Sequence, residues 1–393
     1  MKSAIVLLVL CITGTLTLEA TLQEFVAGNS KFAASVYKEL LARNTTGNFL
    51  VSPFSAQVIL ALAQSGARNE TGEEIRSSLS FAGGKEEIEE AVKFLLATIE
   101  DNPHYSLHAA NKIYASKYYK IRNQFKTVAR EIYRADLENL DFTQKKEAAD
   151  EINRWVGKHT DNKIHDLMDA EMLNNKTRAV LVNALLFKGN WSSPFPTYLT
   201  IKKNFYQAGN QTVQVETMHD FDGGYNYAES AELQAKFLEM PFEGTNVSMT
   251  IVLPNDKDGL GALEEKIDQV LGTSTLTKEN VNVALPKFKI ESKIDCKEVL
   301  QSLGVSKAFR DGEADFSEIA GKPGELFISD VVQKSFIDVN EDGVEAAAAT
   351  FIIKIINRFR DPPKDFTADH PFLFYIKVEG LVLFIGRVVT PSY

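Results

Sequence analysis

The sequence predicts one large unit in which helices and strands are intermixed. Three observations lead there. The chain has 393 residues, enough to bury a sizeable core. Helical and strand-like patterns alternate irregularly from about Gln23 to the end, with no internal repeat. No Pro/Gly/Ser-rich linker or low-complexity tract divides them. Length alone points to two or three domains, so the missing divider decides for one. The composition, 44% hydrophobic and 24% charged, is that of an ordinary globular chain.

The first segment reads "MKSAIVLLVLCITGTLTLEA". Lys2 gives a positive start, Ala4 to Ile12 form an apolar run, and Leu18-Glu19-Ala20 offers a cleavage site. This is the pattern of a secretory signal peptide over residues 1–20, which leaves a domain over 21–393 and an extracellular location. The run is too short for a membrane anchor. Net charge is -10 and pI about 5.3. Losing Lys2 with Glu19 leaves the charge unchanged. An acidic chain argues against general nucleic-acid binding.

Cys11 departs with the signal, so Cys296 is the mature chain's single thiol and no internal disulfide forms. Without a visible partner to stabilise a thiolate, Cys296 reads as a half-buried structural residue. Six sequons fit a secreted glycoprotein. Asn44, Asn69, Asn175, Asn210 and Asn246 are candidate sites, whereas Asn190 sits beside core-like apolar residues and is expected to be unmodified.

Enzyme and metal motifs fail on their own terms. "DVNEDG" (Asp338 to Gly343) resembles the start of a calcium loop, but Ala346 and Ala349 occupy the ninth and twelfth positions, where ligands belong. "GLGALE" at Gly259 has Glu264 in place of the third glycine of a phosphate loop. His104, His108, His159, His165, His219 and His370 show no metal-ligand spacing, and no GxSxG elbow occurs. No active site and no metal site are expected.

Long, ordered stretches carry a family resemblance. "NFLVSPFSAQVILALAQSGA" (Asn48 to Ala67), "INRWVGKHTDNKI" (Ile152 to Ile164), "LVNALLFKGNWSSPF" (Leu181 to Phe195), "LPKFKIE" (Leu285 to Glu291), "ADFSEIAG" (Ala314 to Gly321), "VNEDGVEAAAAT" (Val339 to Thr350), "ADHPFLFYI" and "LFIGRVVTP" resemble the serpin pattern in sequence order. The resemblance implies one α+β domain with three β-sheets, eight or nine helices and an exposed reactive loop over about residues 341–363. It implies a monomeric inhibitor that forms a covalent acyl complex with a serine protease and then inserts its cleaved loop into a sheet. A shutter is implied at Ser52, Ser55, Asn183 and Gln333. Gln333 stands where the family commonly has histidine, and a glutamine can both donate and accept in a substitute network.

The implied hinge comprises Glu341, Gly343, Val344, Glu345, Ala346, Ala347, Ala348, Ala349 and Thr350. Its composition suits an inserting strand. Gly343 to Asn357 would span roughly 50 Å when extended. Alternation puts Val344, Ala346, Ala348, Thr350 and Ile352 on one face and Glu345 on the other. If the first set faces the core, no charge is buried early. A helical turn over "EAAAAT" is the competing reading, opposed by the sheet-forming "FIIKII" that follows.

Counting from Gly343 as the family does places Asn357 before the scissile bond. Arg358 suits an acidic primary pocket better, so Arg358–Phe359 is the preferred bait, with Asn357, Lys354 and Arg360 as rivals. "NRF" resembles the Asn-Arg-Phe-Gly activation site of arthropod prophenoloxidases, although Arg360 replaces the glycine. The expected target is a trypsin-like, clip-domain protease of a melanisation cascade, as for secreted arthropod immune serpins.

Lys112 to Arg134 carries seven basic residues and one acid, Glu131. Arg122, Lys126, Arg130 and Arg134 recur every fourth residue. Such a row fits either a solvated helix face or a site for a heparin-like sulfated polysaccharide that accelerates inhibition. Lys202 and Lys203 form a second candidate. No cofactor is required. The alternative to inhibition is a non-inhibitory carrier or storage serpin, disfavoured by the alanine run, since such relatives commonly hold bulkier or charged hinge residues.

Overall fold

The computed structural model describes residues 2–43, 46–81, 83–100, 104–207, 211–244, 246–273, 275–344 and 362–393, with backbone alone for 2–17 and 100. In chain order its first half holds α1 (Lys2–Arg43), β1 (Phe49–Val51), α2 (Pro53–Ser65), α3 (Asn69–Ser78), α4 (Lys85–Glu100), β2 (Tyr105–Ser116), α5 (Asn123–Glu131), β3 (Asp136–Leu140), α6 (Lys145–His159) and β4 (Ala179–Asn190). There follow β5 (Ile201–Tyr206), β6 (Thr212–Ser230), β7 (Ala235–Pro241), β8 (Val247–Pro254), α7 (Leu260–Glu264), α8 (Ile267–Gly272), β9 (Thr277–Pro286), β10 (Phe288–Asp295) and α9 (Cys296–Ser302). The last strands are β11 (Ile328–Val339), β12 (Gly343–Val344), β13 (Lys364–Thr367), β14 (Phe372–Val378) and β15 (Leu381–Val388). The class is α+β, with nine α-helices among the described residues.

Among the described residues the strands form two hydrogen-bonded networks rather than three separate sheets. One has nine strands in the path β1-β15-β14-β8-β7-β6-β9-β13, plus β5 on β6. Two of the expected sheets are fused here because β6 is 19 residues long and serves both. Its start pairs with β5 and its end with β7. The other network runs β10-β11-β12-β4-β2-β3. Within it β11 and β4 are parallel, from Ile328 beside Ala179 to Phe336 beside Leu186.

Helix α2 lies behind this six-stranded sheet and is buried along its whole length, as its nearly unbroken apolar sequence demands. Pro53 supplies a preset first-turn φ, and Ser52 caps the N-terminus by accepting from the Ser55 amide at 3.2 Å. A second core packs α6 and the chain after it on the opposite face, through Ile152, Val156, Ile164 and Leu167 against Val180, Val182 and Val332. Along α1, Phe25 is the first described side chain to be fully buried, while the helix itself is continuous from Lys2.

Three sequence features find structural explanations. Asn340 Oδ1 accepts from the amides of Asp342 (3.0 Å) and Gly343 (3.3 Å), so the calcium-like "DVNEDG" is a strand end followed by an asparagine-closed turn. Glu264, in place of a third glycine, is buried and accepts from Tyr37 Oη at 2.6 Å and Arg387 Nη1 at 3.0 Å. Cys296 is buried rather than half-buried, and burial pushes its thiol up to about 12.

Candidate functional site

The hinge begins inside the sheet. After Val339 the chain turns at Asn340, and Gly343–Val344 re-enters as β12 between the ends of β11 and β4. Val344 stands opposite Val339 on one side and Gly189 on the other, with 0% exposure. Gly343, at φ +152, approaches Gly189 so closely that a Cβ would lie 2.1 Å from its carbonyl oxygen. Only glycine fits that contact.

The turn is anchored on both sides. Glu341 Oε1 accepts from Thr200 Oγ1 at 2.8 Å, and its Oε2 lies 3.2 Å from Lys287 Nζ. Burial alone would push the Glu341 carboxyl up. The hydrogen bonds from Thr200 and Lys287 outweigh that and hold it below the usual carboxylate range. The backbone joins in: Phe195 N donates to Glu341 O and Trp191 N to Asp342 O, both at 2.8 Å. Trp191 Nε1 donates to Asn340 O at 3.0 Å, and the indole stacks on Phe242 at 4.5 Å between centroids.

Below β12, β11 and β4 close on each other and a buried polar network crosses their seam. Gln333 Nε2 donates to Asn183 Oδ1 at 2.6 Å and to Ser52 O at 3.0 Å, while its Oε1 accepts from Ser52 N at 2.8 Å. Asn183 Nδ2 donates to Ser55 Oγ and to Asn111 Oδ1 on β2. Ser52 Oγ donates to Leu383 O at 2.7 Å. The five residues are between 0% and 3% exposed. Every amide hydrogen of Gln333 and Asn183 is used, so the glutamine forms a complete network with its neighbours.

The structure brings Ser52, Ser55, Asn183 and Gln333 together, and Glu341, Gly343 and Val344 into one turn. Glu345, Ala346, Ala347, Ala348, Ala349, Thr350, Lys354, Asn357, Arg358, Phe359 and Arg360 lie outside the described residues. So do Asn44 and Asn210. Asn69, Asn175 and Asn246 are exposed. Asn69 Nδ2 donates to Asp315 at 2.8 Å, and half-buried Asn190 donates to Glu243 at 3.2 Å.

The basic row is corrected. Helix α5 spans Asn123–Glu131, so of the four residues only Lys126 and Arg130 share it. Arg122 precedes the helix and is spent on two carbonyls, Ser317 O at 2.6 Å and Gly321 O at 3.2 Å. Arg134 follows the helix at φ +46, which turns it out of line. Lys202 and Lys203 are exposed on β5 and line an open cleft of about 520 Å³ with Asp365 and Asp369.

Sequence reasoning did not find Asn111, Trp191, Thr200 or Lys287. A lone asparagine in the apolar strand "HAANKIYA" was a signal for Asn111. Thr200 and Lys287 lie in segments whose sequence does not point to Glu341 as a partner, and carried none.

Comparison with known proteins gives a consistent result. A family model described as "Serpin (serine protease inhibitor)" matches residues 27–391. The chain is 36% identical to Antichymotrypsin-2 of Bombyx mori, over 91% of this chain and 96% of that one. It is 34% identical to the Bombyx mori protein Antitrypsin, over 92% and 93%. Among solved structures it is similar to Serpin48, described as a highly specific serpin of the insect Tenebrio molitor, with TM-score 0.89 and 52% identity over 94% of this chain and 99% of that one.

Proposed function

Because the chain belongs to the serpin family of serine protease inhibitors, we propose that it is an irreversible suicide inhibitor of a trypsin-like protease. The protease serine attacks the Arg358 carbonyl, the Phe359 amine leaves, and the cut loop enters the sheet before water can release the acyl-enzyme. The observation that carries this reading is Val344. It is already buried between β11 and β4, and the face it defines continues in sequence as Ala346 and Ala348. A charge on that face would cost several kcal/mol on insertion; alanines cost little and do not overpack.

Insertion requires β11 and β4 to part by one strand width, about 4.8 Å. The seam is a parallel pairing of strands far apart in sequence, held at mid-length by the Gln333–Asn183 bond. A fresh antiparallel strand between them makes two ladders from one.

The finer assignments rest on the sequence. A clip-domain protease of a melanisation cascade is the target we infer from "NRF", secretion from the N-terminal segment, and glycosylation from the exposed sequons. Lys126 and Arg130, with Lys202 and Lys203, are the cations left for a heparin-like accelerator. Heparin at low salt should then raise the inhibition rate, and an unchanged rate and column retention would remove that assignment.

The central test is incubation with bovine trypsin. We expect an SDS-stable complex and a released fragment whose N-terminus is Phe359. Clean cleavage without a complex would sink inhibition and favour a carrier or storage role. A first residue of Arg358, Ile355 or Asp361 would move the bait to Asn357, Lys354 or Arg360.

A further inference from the structure

One face of the nine-stranded network carries a cleft that protease inhibition does not use. Strand register fixes which side chains share it. Lys203 of β5 stands opposite Val215 of β6. His219, four residues further along β6, stands opposite Ala284 of β9, and Asn282, two residues before Ala284, stands opposite Asp365 of β13. Even steps along a strand keep the face, so Lys203, His219, Asn282 and Asp365 point the same way. All four line the open cleft of about 520 Å³, a size within the range of ordinary ligand sites.

Three of them have binding capacity to spare. His219 Nδ1 lies 3.0 Å from two acceptors, Leu199 O and Thr217 O, so it carries the ring hydrogen. The neutral ring then presents a lone pair at Nε2, which has no partner among the described residues. Asp365 Oδ1 accepts from Asn282 Nδ2 at 3.0 Å, which orients the carboxylate. Lys236 Nζ donates to the Asp365 backbone carbonyl, at 3.1 Å, and the carboxylate forms no ion pair among the described residues. Lys203, on the opposite wall, is exposed and likewise forms none.

Beside them Phe221 is 56% exposed. A bulge between Asp220 and Gly223 aims it outward, with Asp222 at φ +55 and its amide donating to Asn282 Oδ1 at 3.1 Å. The Phe221 ring stacks on His219 with 6.1 Å between centroids. An aromatic platform and an acceptor therefore lie between an unpaired cation and an unpaired anion.

The spacing of the charges selects the ligand. Lys203 and Asp365 stand on the first and last of four adjacent strands, β5, β6, β9 and β13. Three strand spacings put them about 14 Å apart along the sheet. The two charges of a free amino acid are too close together to serve both, and a polyanion would meet Asp365. An extended peptide of about four residues, at about 3.3 Å each, spans the distance. His219, on the second strand, is met two-thirds of the way from Asp365 to Lys203.

We propose that this cleft binds a short dipolar peptide, its ammonium group on Asp365, its carboxylate on Lys203, and an aromatic side chain on Phe221 that donates to His219 Nε2. The site is separate from the hinge and does not depend on loop insertion.

The test uses the full-length protein and the tetrapeptide Gly-Gly-Tyr-Gly with free ends, its binding followed through the peptide's NMR signals. We expect saturable one-to-one binding. The N-acetylated and the C-amidated peptides should each bind about fivefold more weakly, the effect of one ion pair near the surface. Amidation should make no difference to Lys203→Gln, and acetylation none to Asp365→Asn. Phe221→Ala should weaken all three peptides alike. Lys203 and Phe221 are exposed, so their variants should unfold at the wild-type temperature. Absence of saturation up to about 10 mM overturns the site. Equal binding of free and blocked peptides overturns the dipolar assignment, and so does tighter binding of the acetylated peptide, which would give the cleft to plain anions. An amidation effect that persists in Lys203→Gln removes Lys203 from the site.

Discussion

Gln333 Nε2 donates to Asn183 Oδ1 at 2.6 Å, across the parallel seam where β11 meets β4. The same glutamine holds both the amide and the carbonyl of Ser52, the cap of the buried helix α2. One side chain thus links the seam to the element behind it.

Gln333→Leu should destabilise the resting protein by about 3 kcal/mol. It leaves Ser52 N and Asn183 Oδ1 buried without partners, each costing about 1–3 kcal/mol before relaxation. Urea unfolding of the uncleaved protein measures this, and a loss below about 0.5 kcal/mol would show that the network contributes little.

Glu341 should make hinge anchoring dependent on acid. Its carboxyl is held below the usual range, so the folded state favours the ionised form. The contribution is full above the ordinary glutamate value of about 4.3 and is lost as pH falls through and below it. The stability difference between wild type and Glu341→Gln should therefore shrink between about pH 6 and about pH 3. A difference that stays constant over that interval contradicts the anchoring role.

Gly343→Ala should push β12 out of the sheet. The new Cβ would meet Gly189 O at 2.1 Å, and φ is +152. We expect amide exchange at Gly343–Val344 to lose protection and stability to fall by about 1–3 kcal/mol. Unchanged protection would mean that the backbone tolerates the side chain.

Ala348→Glu should turn the inhibitor into a substrate. In the inserted strand proposed above, the register of Val344 would set position 348 against Leu185 and Ser335, both 0% exposed. A carboxylate there must enter the core, at a cost of several kcal/mol. With trypsin we expect cleaved loop and at least a tenfold drop in trapped complex. Full trapping would place the opposite face inward.

Much of the fold was legible because its signals are local. Pro53 after Ser52, followed by an apolar run, marks the start of a buried helix. Alternation after Gly343 sorted the hinge faces, and Val344 is buried as that sorting requires for insertion. The i+4 row from Arg122 to Arg134 was misleading, because periodicity assumes that a helix persists. This one ends at Glu131, and Arg122 is held by the carbonyls of a distant segment.

The sequence by itself determined the class and the family resemblance, since propensity and period act between near neighbours. Tertiary structure alone decided where the chain after Asn340 rejoins the sheet, what anchors that turn, and how Gln333 is satisfied. Those outcomes depend on partners brought together from afar: Thr200 and Lys287 at Glu341, Ser52 and Asn183 at Gln333. A hydrogen bond needs its two atoms within about 3 Å, and no one-dimensional pattern states which distant residues folding will bring that close.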